Sequence, residues 1–406
     1  MTAPKLRLAG FKEPWSPKRL GTTGRILQER TSDFARYPLY SLTIEKGVTK
    51  KTERYERGFL VSKTGDIFKI VHPGNFVTNP MNLRFGAVGY SKEKDDVSVS
   101  GYYDVFELDD NKCSPFWFNF LKREEMKKRY EDIATGSLIE KKRVHVNDLL
   151  NLELPIPELE ERKSLGEYLT SLDRLIDAEA LRLESLRKLK SACMAKMFAG
   201  VGETCPKMRL KGYSGEWIAK RLGDLVNRVD RKNVNMEALI PLTISAKDGL
   251  IAQEQFFDKR IASTNLCGYY LIRKGEFAYN RSSSQGYPFG SVKRLEKYDN
   301  GALSALYTVF GLHDMISSDF MKAYFDTDKW HGEVRFRACE GARNHGLLNI
   351  SADDFFQLEL RIPPTIEEQN AIGEFMINLD MSIRLQGNRV EKMRHLKWAC
   401  MERMFV

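Results

Sequence analysis

The sequence is short of several features that define large classes of protein. Its 406 residues include 6 cysteines and no CxxC pair, which argues against a disulfide framework or a zinc site. No run of about 18 apolar residues is long enough to span a membrane, and the first residues lack the apolar core of a signal peptide. We therefore expect a cytoplasmic protein with reduced thiols and no membrane partner.

The motifs of the common enzyme classes are also missing. The sequence has no GxxxxGK[ST] phosphate loop, no GxGxxG dinucleotide motif and no GxSxG nucleophile elbow. Its 6 histidines show neither the HExxH pattern nor a mixed histidine and cysteine pattern. We predict that this chain has no catalytic residue, metal ion or cofactor of its own.

The composition that remains is that of a folded, basic protein. Hydrophobic residues make up 42% of the chain, enough for sizeable cores, and the length predicts two to four domains. Lys and Arg number 64 against 55 Asp and Glu, so the net charge is +9. This excess permits a polyanionic partner without requiring one.

The chain contains an internal duplication. Residues 160–198 match residues 367–405, with about 17 of 39 positions identical. The segments KLRLAGFKEPW and KMRLKGYSGEW open the two halves, and a fainter match lies in the middle of each. Residues between these matches differ freely, which indicates two copies of one scaffold with two different surfaces.

Each repeat ends in a long predicted helix with a heptad pattern. Proline and acidic residues mark its start, and the apolar positions advance by four and three residues, as in a coiled-coil seam. Polar residues interrupt the seam at Glu179 and Lys190, and at Gln386 and Lys397; they either fix the register or simply extend to solvent or pair. The predicted seam residues are Leu165, Leu169, Leu172, Ile176, Leu183, Leu186, Ile372, Met376, Leu379, Ile383, Val390 and Met393.

The order of these segments predicts an α+β architecture. The two apolar stripes cover each other only if the second helix returns antiparallel to the first, with an approximate twofold axis between the repeats. We predict target-binding domains at residues 1–156 and 201–362, and helical spacers at residues 157–200 and 363–406.

Candidate DNA contacts come from basic and amide-rich segments. A segment after a predicted strand of the second domain has the residue types that bond base edges, and a glycine-bounded loop and a basic cluster accompany it. Each is equally compatible with an ordinary polar turn. The second-domain candidates are Arg231, Lys232, Asn280, Arg281, Ser282, Ser283, Gln285, Tyr287, Arg343, Asn344 and His345.

The first domain has basic runs with interleaved tyrosines, a composition typical of grooves that hold a nucleic-acid backbone. Any one of these residues is more commonly a solvated charge, so the hypothesis depends on their clustering. The first-domain candidates are Lys50, Lys51, Arg54, Arg57, Ser62, Lys63, Arg84, Lys92 and Lys94.

These features together resemble the DNA-specificity subunits of type I restriction-modification enzymes, over essentially the whole chain. The signatures are the helix openings IPELEERKSLGEYLTSLD and IPPTIEEQNAIGEFMINLD, the two domain openings, and the segments TGDIF and KGEFAYNRS. In the first helix Arg162 stands where the second has Gln369, a departure from the motif.

The resemblance implies a non-catalytic subunit that binds a bipartite, asymmetric double-stranded DNA target. It also implies two methyltransferase subunits that use S-adenosylmethionine, and restriction subunits that translocate DNA with ATP and Mg²⁺. Glu167, Arg182, Arg187, Glu374, Arg389 and Arg394 would then contact partners or remain solvated. The alternatives are a self-contained nuclease or methyltransferase with an unrecognised motif, and an adaptor that joins two proteins through its coiled coil.

Overall fold

The computed structural model of the chain describes residues 3–45, 47–50, 67–138, 142–200, 202–257, 265–284, 286–338 and 348–405. The chain forms two compact units. Unit 1 comprises Met1–Ala180 and Arg389–Val406, and unit 2 comprises Leu181–Asn388. Because this division cuts through both long helices, the four domain limits given above stay predictions.

Unit 1 contains short antiparallel strands followed by helices. The strands are β1 (Ser16–Arg19), β2 (Gly24–Leu27), β3 (Arg30–Thr31), β4 (Tyr40–Thr43), β5 (Gly47–Lys50), β6 (Phe68–Val71), β7 (Phe76–Thr78), β8 (Val88–Tyr90), β9 (Val97–Val99), β10 (Asp104–Leu108) and β11 (Glu153–Ile156). The helices are α1 (Ser114–Leu121), α2 (Glu124–Ile133), α3 (Val146–Leu150) and the long α4 (Leu159–Lys196), which continues into unit 2.

Unit 2 has nearly the same sequence of elements. Its strands are β12 (Ile218–Arg221), β13 (Val226–Arg228), β14 (Leu242–Ser245), β15 (Gly249–Ala252), β16 (Tyr270–Arg273), β17 (Phe277–Asn280), β18 (Ser291–Arg294), β19 (Asn300–Leu303), β20 (Thr308–Leu312) and β21 (Glu359–Ile362). Its helices are α5 (Gln253–Phe257), α6 (Ser318–Phe325), α7 (His331–Arg337), α8 (Ala352–Phe356) and the long α9 (Ile366–Met404), which returns to unit 1.

The two units repeat one sheet topology. A four-stranded antiparallel sheet has the order β2-β10-β7-β8 in unit 1 and β13-β20-β17-β18 in unit 2. In both, the strand after the domain opening pairs with the strand before the long helix, as β1 with β11 and β12 with β21. The duplication seen in sequence is therefore a duplication of fold.

Each core is built from aromatic residues that the repeats share. In unit 1, Trp15 lies 6.2 Å from Phe116 and 6.5 Å from Phe405 between ring centroids. In unit 2, Trp217 lies 5.9 Å from Phe320, and Phe320 lies 5.6 Å from Phe198. Large buried rings supply much of the apolar area removed from water, so the domain openings are part of the cores.

The domain openings also hold the long helices by a buried ion pair. Arg7 donates from Nε and Nη2 to both carboxylate oxygens of Glu161 at 2.7 Å, and Arg209 binds Glu368 in the same way at 2.7 Å. The carboxylates are 1% and 2% exposed. A bidentate guanidinium is a strong partner for a buried carboxylate, which explains why this opening recurs.

The long helices pack as an antiparallel pair, as the sequence predicted. In unit 1, Asp173 and Glu179 of α4 pair with Lys397 and Arg389 of α9, at 2.6 and 2.8 Å. In unit 2, Lys190 of α4 pairs with Asp380 of α9 at 2.5 Å. As the residue numbers increase along α4, the numbers of their partners in α9 decrease. The two helices are therefore antiparallel.

The apolar seam residues lie along these contacts. Leu165, Leu169, Ile176, Ile372, Met376, Leu379 and Val390 are buried, and Leu172, Leu183, Leu186, Ile383 and Met393 are half-buried. The lysines that interrupt the seam pair with aspartates of the opposite helix. The Asp173–Lys397 and Asp380–Lys190 pairs use the same two repeat positions with the helices exchanged.

Candidate nucleic-acid interface

The predicted base-reading segment of unit 2 begins at the end of β17. The Ser282 amide donates to Asn280 Oδ1 at 2.9 Å, so the Asn280 side chain turns the chain on itself. Arg281 Nη1 donates to the Ile350 carbonyl at 3.3 Å, and the Leu348 amide donates to the Arg281 carbonyl at 3.0 Å. Asn280 and Arg281 therefore fix the start of the loop.

The exposed part of this segment is a tight turn. Ser284 and Tyr287 exchange backbone hydrogen bonds at 3.2 and 2.9 Å, and the Tyr287 side chain is 37% exposed. Ser282 and Ser283 are half-buried at its base. The turn ends at Gly290, whose φ is +79° and where a Cβ would lie 2.1 Å from the Asn280 carbonyl oxygen. A side chain at this position would overlap that carbonyl oxygen, so glycine is required there.

An aromatic clamp holds the far end of the turn. The Phe289 ring lies 5.0 Å from the His331 ring and 5.3 Å from the Arg335 guanidinium carbon. Burial lowers the pKa of His331, an effect that Asp328 opposes and Arg335 reinforces. A neutral imidazole beside Phe289 lets the arginine take the cation–π position without repulsion.

The basic cluster of unit 2 divides into paired and available cations. Arg231 Nη2 donates to both oxygens of Glu276 at 2.9 and 2.8 Å. Lys232 is exposed, and its ammonium lies 3.6 Å above the centre of the Tyr270 ring. A cation held on a ring still has its N–H donors for phosphate oxygens, so Lys232 is better placed for a backbone contact.

In unit 1 the described candidates are Lys50, Arg84, Lys92 and Lys94. Arg84 is buried and donates to Glu131 at 2.7 Å, which gives it a structural partner. Lys50, Lys92 and Lys94 are exposed. The Lys92 ammonium lies 5.7 Å from the Tyr90 ring centre and 5.8 Å from that of Phe118. These three lysines form the exposed basic part of the predicted surface.

Lys122 lies near the same aromatic ring as Lys92, although it is not among the candidates predicted from the sequence. Its ammonium lies 4.8 Å from the same Phe118 ring and donates to the Ile44 carbonyl at 2.5 Å. Burial lowers the pKa of Lys122, an effect that Glu45 opposes and that neighbouring lysines, including Lys92, reinforce. Thirty residues separate the two lysines in sequence, so only the packing of β8 against α1 brings them together.

Several candidates lie outside the described residues, and their contacts with DNA stay predictions. They are Lys51, Arg54, Arg57, Ser62, Lys63, Gln285, Arg343, Asn344 and His345. Within the residues described, no group of three or more His, Cys, Asp or Glu side chains could hold a metal ion. In the same part of the chain, no helix has the length and apolar character needed to cross a membrane.

Comparison with known proteins relates this architecture to DNA specificity. Residues 35–188 match the type I restriction modification DNA specificity domain. The chain is 27% identical over 117 residues to the putative type I restriction enzyme MjaX specificity subunit of Methanocaldococcus jannaschii, a match that spans 28% of each protein.

Two solved structures resemble the fold over nearly the whole chain. The HsdS subunit from Thermoanaerobacter tengcongensis has a TM-score of 0.50 at 16% identity and covers 98% of each chain. The type I restriction-modification S subunit from M. genitalium has a TM-score of 0.57 at 12% identity and covers 100% of this chain and 99% of its own. At these identities the likeness shows the fold.

The repeated sheets and the paired long helices give this chain the tandem architecture of the two solved subunits. The matched domain adds a sequence likeness over residues 35–188, so the chain resembles type I restriction-modification DNA-specificity subunits. The resemblance predicted from the sequence is thereby confirmed. The chain spans about 28% of the length of the curated relative it matches.

Proposed function

We propose that this chain is the sequence-specific DNA-binding subunit of a type I restriction-modification complex, in which each unit binds one half of a bipartite, asymmetric DNA target. The observation that carries the proposal is the repetition of one sheet order in two units whose exposed residues differ. Two equal scaffolds with unequal surfaces suit a target made of two unequal halves.

Equivalent positions of the two units illustrate the difference. The Ile70 amide donates to the Glu29 carbonyl in unit 1, and the Leu271 amide donates to the Arg231 carbonyl in unit 2, both at 2.9 Å. The same backbone position thus has an acidic residue in one unit and a basic residue in the other. The two units therefore differ in charge at a matching site, as expected of surfaces that bind unequal half-sites.

The exposed cations support a contact with the DNA backbone. Lys50, Lys92 and Lys94 in unit 1 and Lys232 in unit 2 are exposed ammonium groups on strands or loops. Phosphate contacts hold a protein in register on the duplex, while contacts to base edges determine the sequence that is bound. We expect binding to weaken steeply with salt, since each phosphate contact releases counterions.

We further propose that the long helices set the spacing of the half-sites. Helix α4 has 38 residues, which at 1.5 Å per residue is a length of about 57 Å. Half-sites on one face of a duplex lie about one helical turn, or roughly 34 Å, apart. A helix of that length is sufficient to hold two DNA-binding surfaces at such a separation.

The outer faces of the helices are proposed to bind the methyltransferase subunits. Several large apolar side chains on them are between 47% and 67% exposed, namely Leu175, Leu181, Leu189, Met381, Leu385, Leu396 and Trp398. Exposed apolar side chains of this density on a helix pair are typical of a protein interface. The six charges predicted to contact partners are all exposed; among them, Arg389 pairs with Glu179 and Arg394 pairs with Glu391.

In this proposal the catalytic chemistry belongs to other subunits. The methyltransferase subunits hold S-adenosylmethionine, the restriction subunits use ATP and Mg²⁺ to translocate DNA, and the complex acts in the cytoplasm. The present chain contributes the binding of one DNA sequence.

The test is single-molecule sequencing of adenine methylation in cells that express this chain with its methyltransferase partner, against cells that lack only this chain. We expect a methylated motif of two short blocks around a fixed gap, which disappears with the chain. Unchanged methylation in an otherwise active system would contradict the proposal and favour an adaptor that joins two proteins.

A further inference from the structure

Residues 233–240 of unit 2, here called the 233–240 loop, present aliphatic side chains to solvent. Val234 is 65% exposed, Leu239 is 68% exposed and Ile240 is 38% exposed. Single exposed aliphatic residues are common on protein surfaces. Here three exposed aliphatic residues lie within seven positions, and they follow the exposed Lys232. They form an apolar surface beside a basic residue.

Hydrogen bonds hold the loop at both ends and across its middle. The buried Asn233 side chain bridges it, because the Ala238 amide donates to Asn233 Oδ1 at 2.9 Å and Asn233 Nδ2 donates to the Ala238 carbonyl at 2.8 Å. The Asn233 amide donates to the Tyr269 carbonyl, and the Ala302 amide donates to the Ile240 carbonyl, both at 2.9 Å. A loop fixed at both ends and across its middle loses little entropy on binding.

The sequence of the loop places an amide between its exposed aliphatic residues. Asn235 is exposed at the tip, next to Val234 and before Met236, whose φ of +54° sharpens the turn. An asparagine amide is suited to the adenine edge, and an aliphatic side chain is suited to the 5-methyl group of thymine. The loop therefore displays an amide that can bond the adenine edge and aliphatic groups that can pack against the thymine methyl group. An A·T base pair presents both of these features in the major groove.

The charges around the loop favour a polyanion. Arg231 is paired with Glu276, and Arg273 lies 3.7 Å from Glu237 of the loop itself. The Lys232 ammonium instead lies over the Tyr270 ring, and this contact leaves its positive charge in place. Because Lys232 immediately precedes the loop, we expect its ammonium to contact a phosphate of the duplex that the loop binds.

Most of the exposed side chains of the equivalent loop in unit 1 are polar. This loop follows Thr31, whose hydroxyl accepts from the Asp33 amide at 2.9 Å, and Asp33 Oδ1 accepts from the Arg36 amide at 3.1 Å. Ser32, Asp33 and Arg36 are exposed there. A loop that changes from polar to aliphatic between two copies of one scaffold is expected of a contact that differs between the half-sites.

We propose that the 233–240 loop contacts A·T base pairs in the major groove of the half-site bound by unit 2. Val234 and Leu239 pack against thymine methyl groups, and the Asn235 amide bonds the adenine edge. The inference rests on the proposed function, because it needs the motif that methylation sequencing supplies. Failure to find a motif would contradict the proposed function, whereas the following experiment tests the loop alone.

The experiment measures binding of the full chain, with its methyltransferase partner, to duplexes that contain the motif. In one half-site at a time, thymine is replaced by deoxyuridine, which lacks only the methyl group. We expect one half-site to respond, with about fourfold weaker binding for each buried methyl group that is lost. In the Val234→Ser, Leu239→Ser variant, binding to the thymine duplex weakens and the response to deoxyuridine disappears.

A second substitution tests the amide. Replacing adenine by 7-deazaadenine removes the N7 acceptor, and we expect weaker binding by the natural chain but no further loss in the Asn235→Ala variant. The control is Met315→Ser, which changes a side chain that is 59% exposed in unit 2 outside the loop and should retain both responses. Equal binding of thymine and deoxyuridine duplexes in both half-sites, or a full deoxyuridine response in the double variant, would overturn the inference.

Discussion

Units 1 and 2 have the same strand pairing but different side chains at equivalent positions of the four-stranded sheet. In unit 1, Phe76 pairs across the sheet with Tyr90; in unit 2, the equivalent Phe277 pairs with Arg294. Tyr90 and Phe118 form an aromatic corner beneath Lys92, whereas Arg294 bonds Asp319 at 2.7 Å and Glu296 at 2.7 Å. The scaffold accepts either arrangement, so it constrains the surface of each unit only weakly.

A second pair of sites shows the same freedom. In unit 1, His72 lies between Asp96 at 2.8 Å and Glu29 at 3.2 Å. In unit 2, the carboxylate of Glu276 instead accepts from Arg231 and from the backbone amide of Arg273. An imidazole between two carboxylates in one unit thus corresponds to a carboxylate among N–H donors in the other. What the two units keep in common is the core and the attachment of the long helices.

The largest predicted effect concerns this common part. Removing the buried carboxylate by Glu161→Ala in unit 1, or by Glu368→Ala in unit 2, leaves a guanidinium with only backbone carbonyls as acceptors. We expect each variant to lower the free energy of unfolding of its own unit by about 3 kcal/mol, the lower end for a broken buried pair. Hydrogen exchange, followed separately for the amides of each unit, measures the effect.

The matched control is Lys18→Ala, which removes the exposed pair with Glu158 and should change stability little. If Glu161→Ala and Glu368→Ala lower the free energy of unfolding by widely different amounts, the two buried ion pairs are not equivalent. That result would contradict the similarity of the two units in the part they have in common.

The common part was also what the sequence predicted best. The heptad positions and the repeated openings identified the helix pair, because coiled-coil packing and a shared core impose a period on the sequence. The mismatch of Arg162 with Gln369 is explained by the structure. Arg162 donates to the Pro157 carbonyl and Gln369 Nε2 donates to the Pro363 carbonyl, so both residues hold the proline segment before the helix.

The surfaces were less predictable, for a physical reason. Asn280 and Arg281 have the residue types that bind bases, but their side chains bond the Ser282 amide and the Ile350 carbonyl. Whether a polar side chain faces solvent or its own backbone depends on loop conformation, which has no sequence period. The 233–240 loop was missed because exposed aliphatic residues have the same pattern as the start of a buried strand.

A smaller effect is predicted for the ion pairs between the helices. The Lys190→Asp variant places two carboxylates together in unit 2, and Lys397→Asp does so in unit 1. Each pair is partly exposed, with side-chain exposures of 23% and 41% or 17% and 40%, so we expect a loss of about 1 kcal/mol for each. The double variant Lys190→Asp, Asp380→Lys should regain most of the loss, as measured by denaturant unfolding. No recovery would mean that the lysines act through their packing and not through their charge.

The smallest predicted effect is a difference between the two units in how their stability depends on pH. Burial lowers the pKa of His72, but hydrogen bonds to Asp96 and Glu29 outweigh it, and the net pKa is raised. A raised pKa stabilises unit 1 fully below the unfolded value near 6.5, and this contribution is lost as the pH rises through the folded value.

The pKa of His331 in unit 2 is lowered, chiefly by burial, so its contribution is present above 6.5 and is lost as the pH falls. The two units should therefore respond to pH in opposite directions around 6.5. Local hydrogen exchange between pH 5 and 8 measures this, with His72→Gln and His331→Gln each abolishing the response of one unit. Because His72 is 36% exposed, the change in unit 1 is expected to be well under that of the helix ion pairs. A parallel response of both units would show that the surroundings of His72 and His331 do not shift the two pKa values in opposite directions.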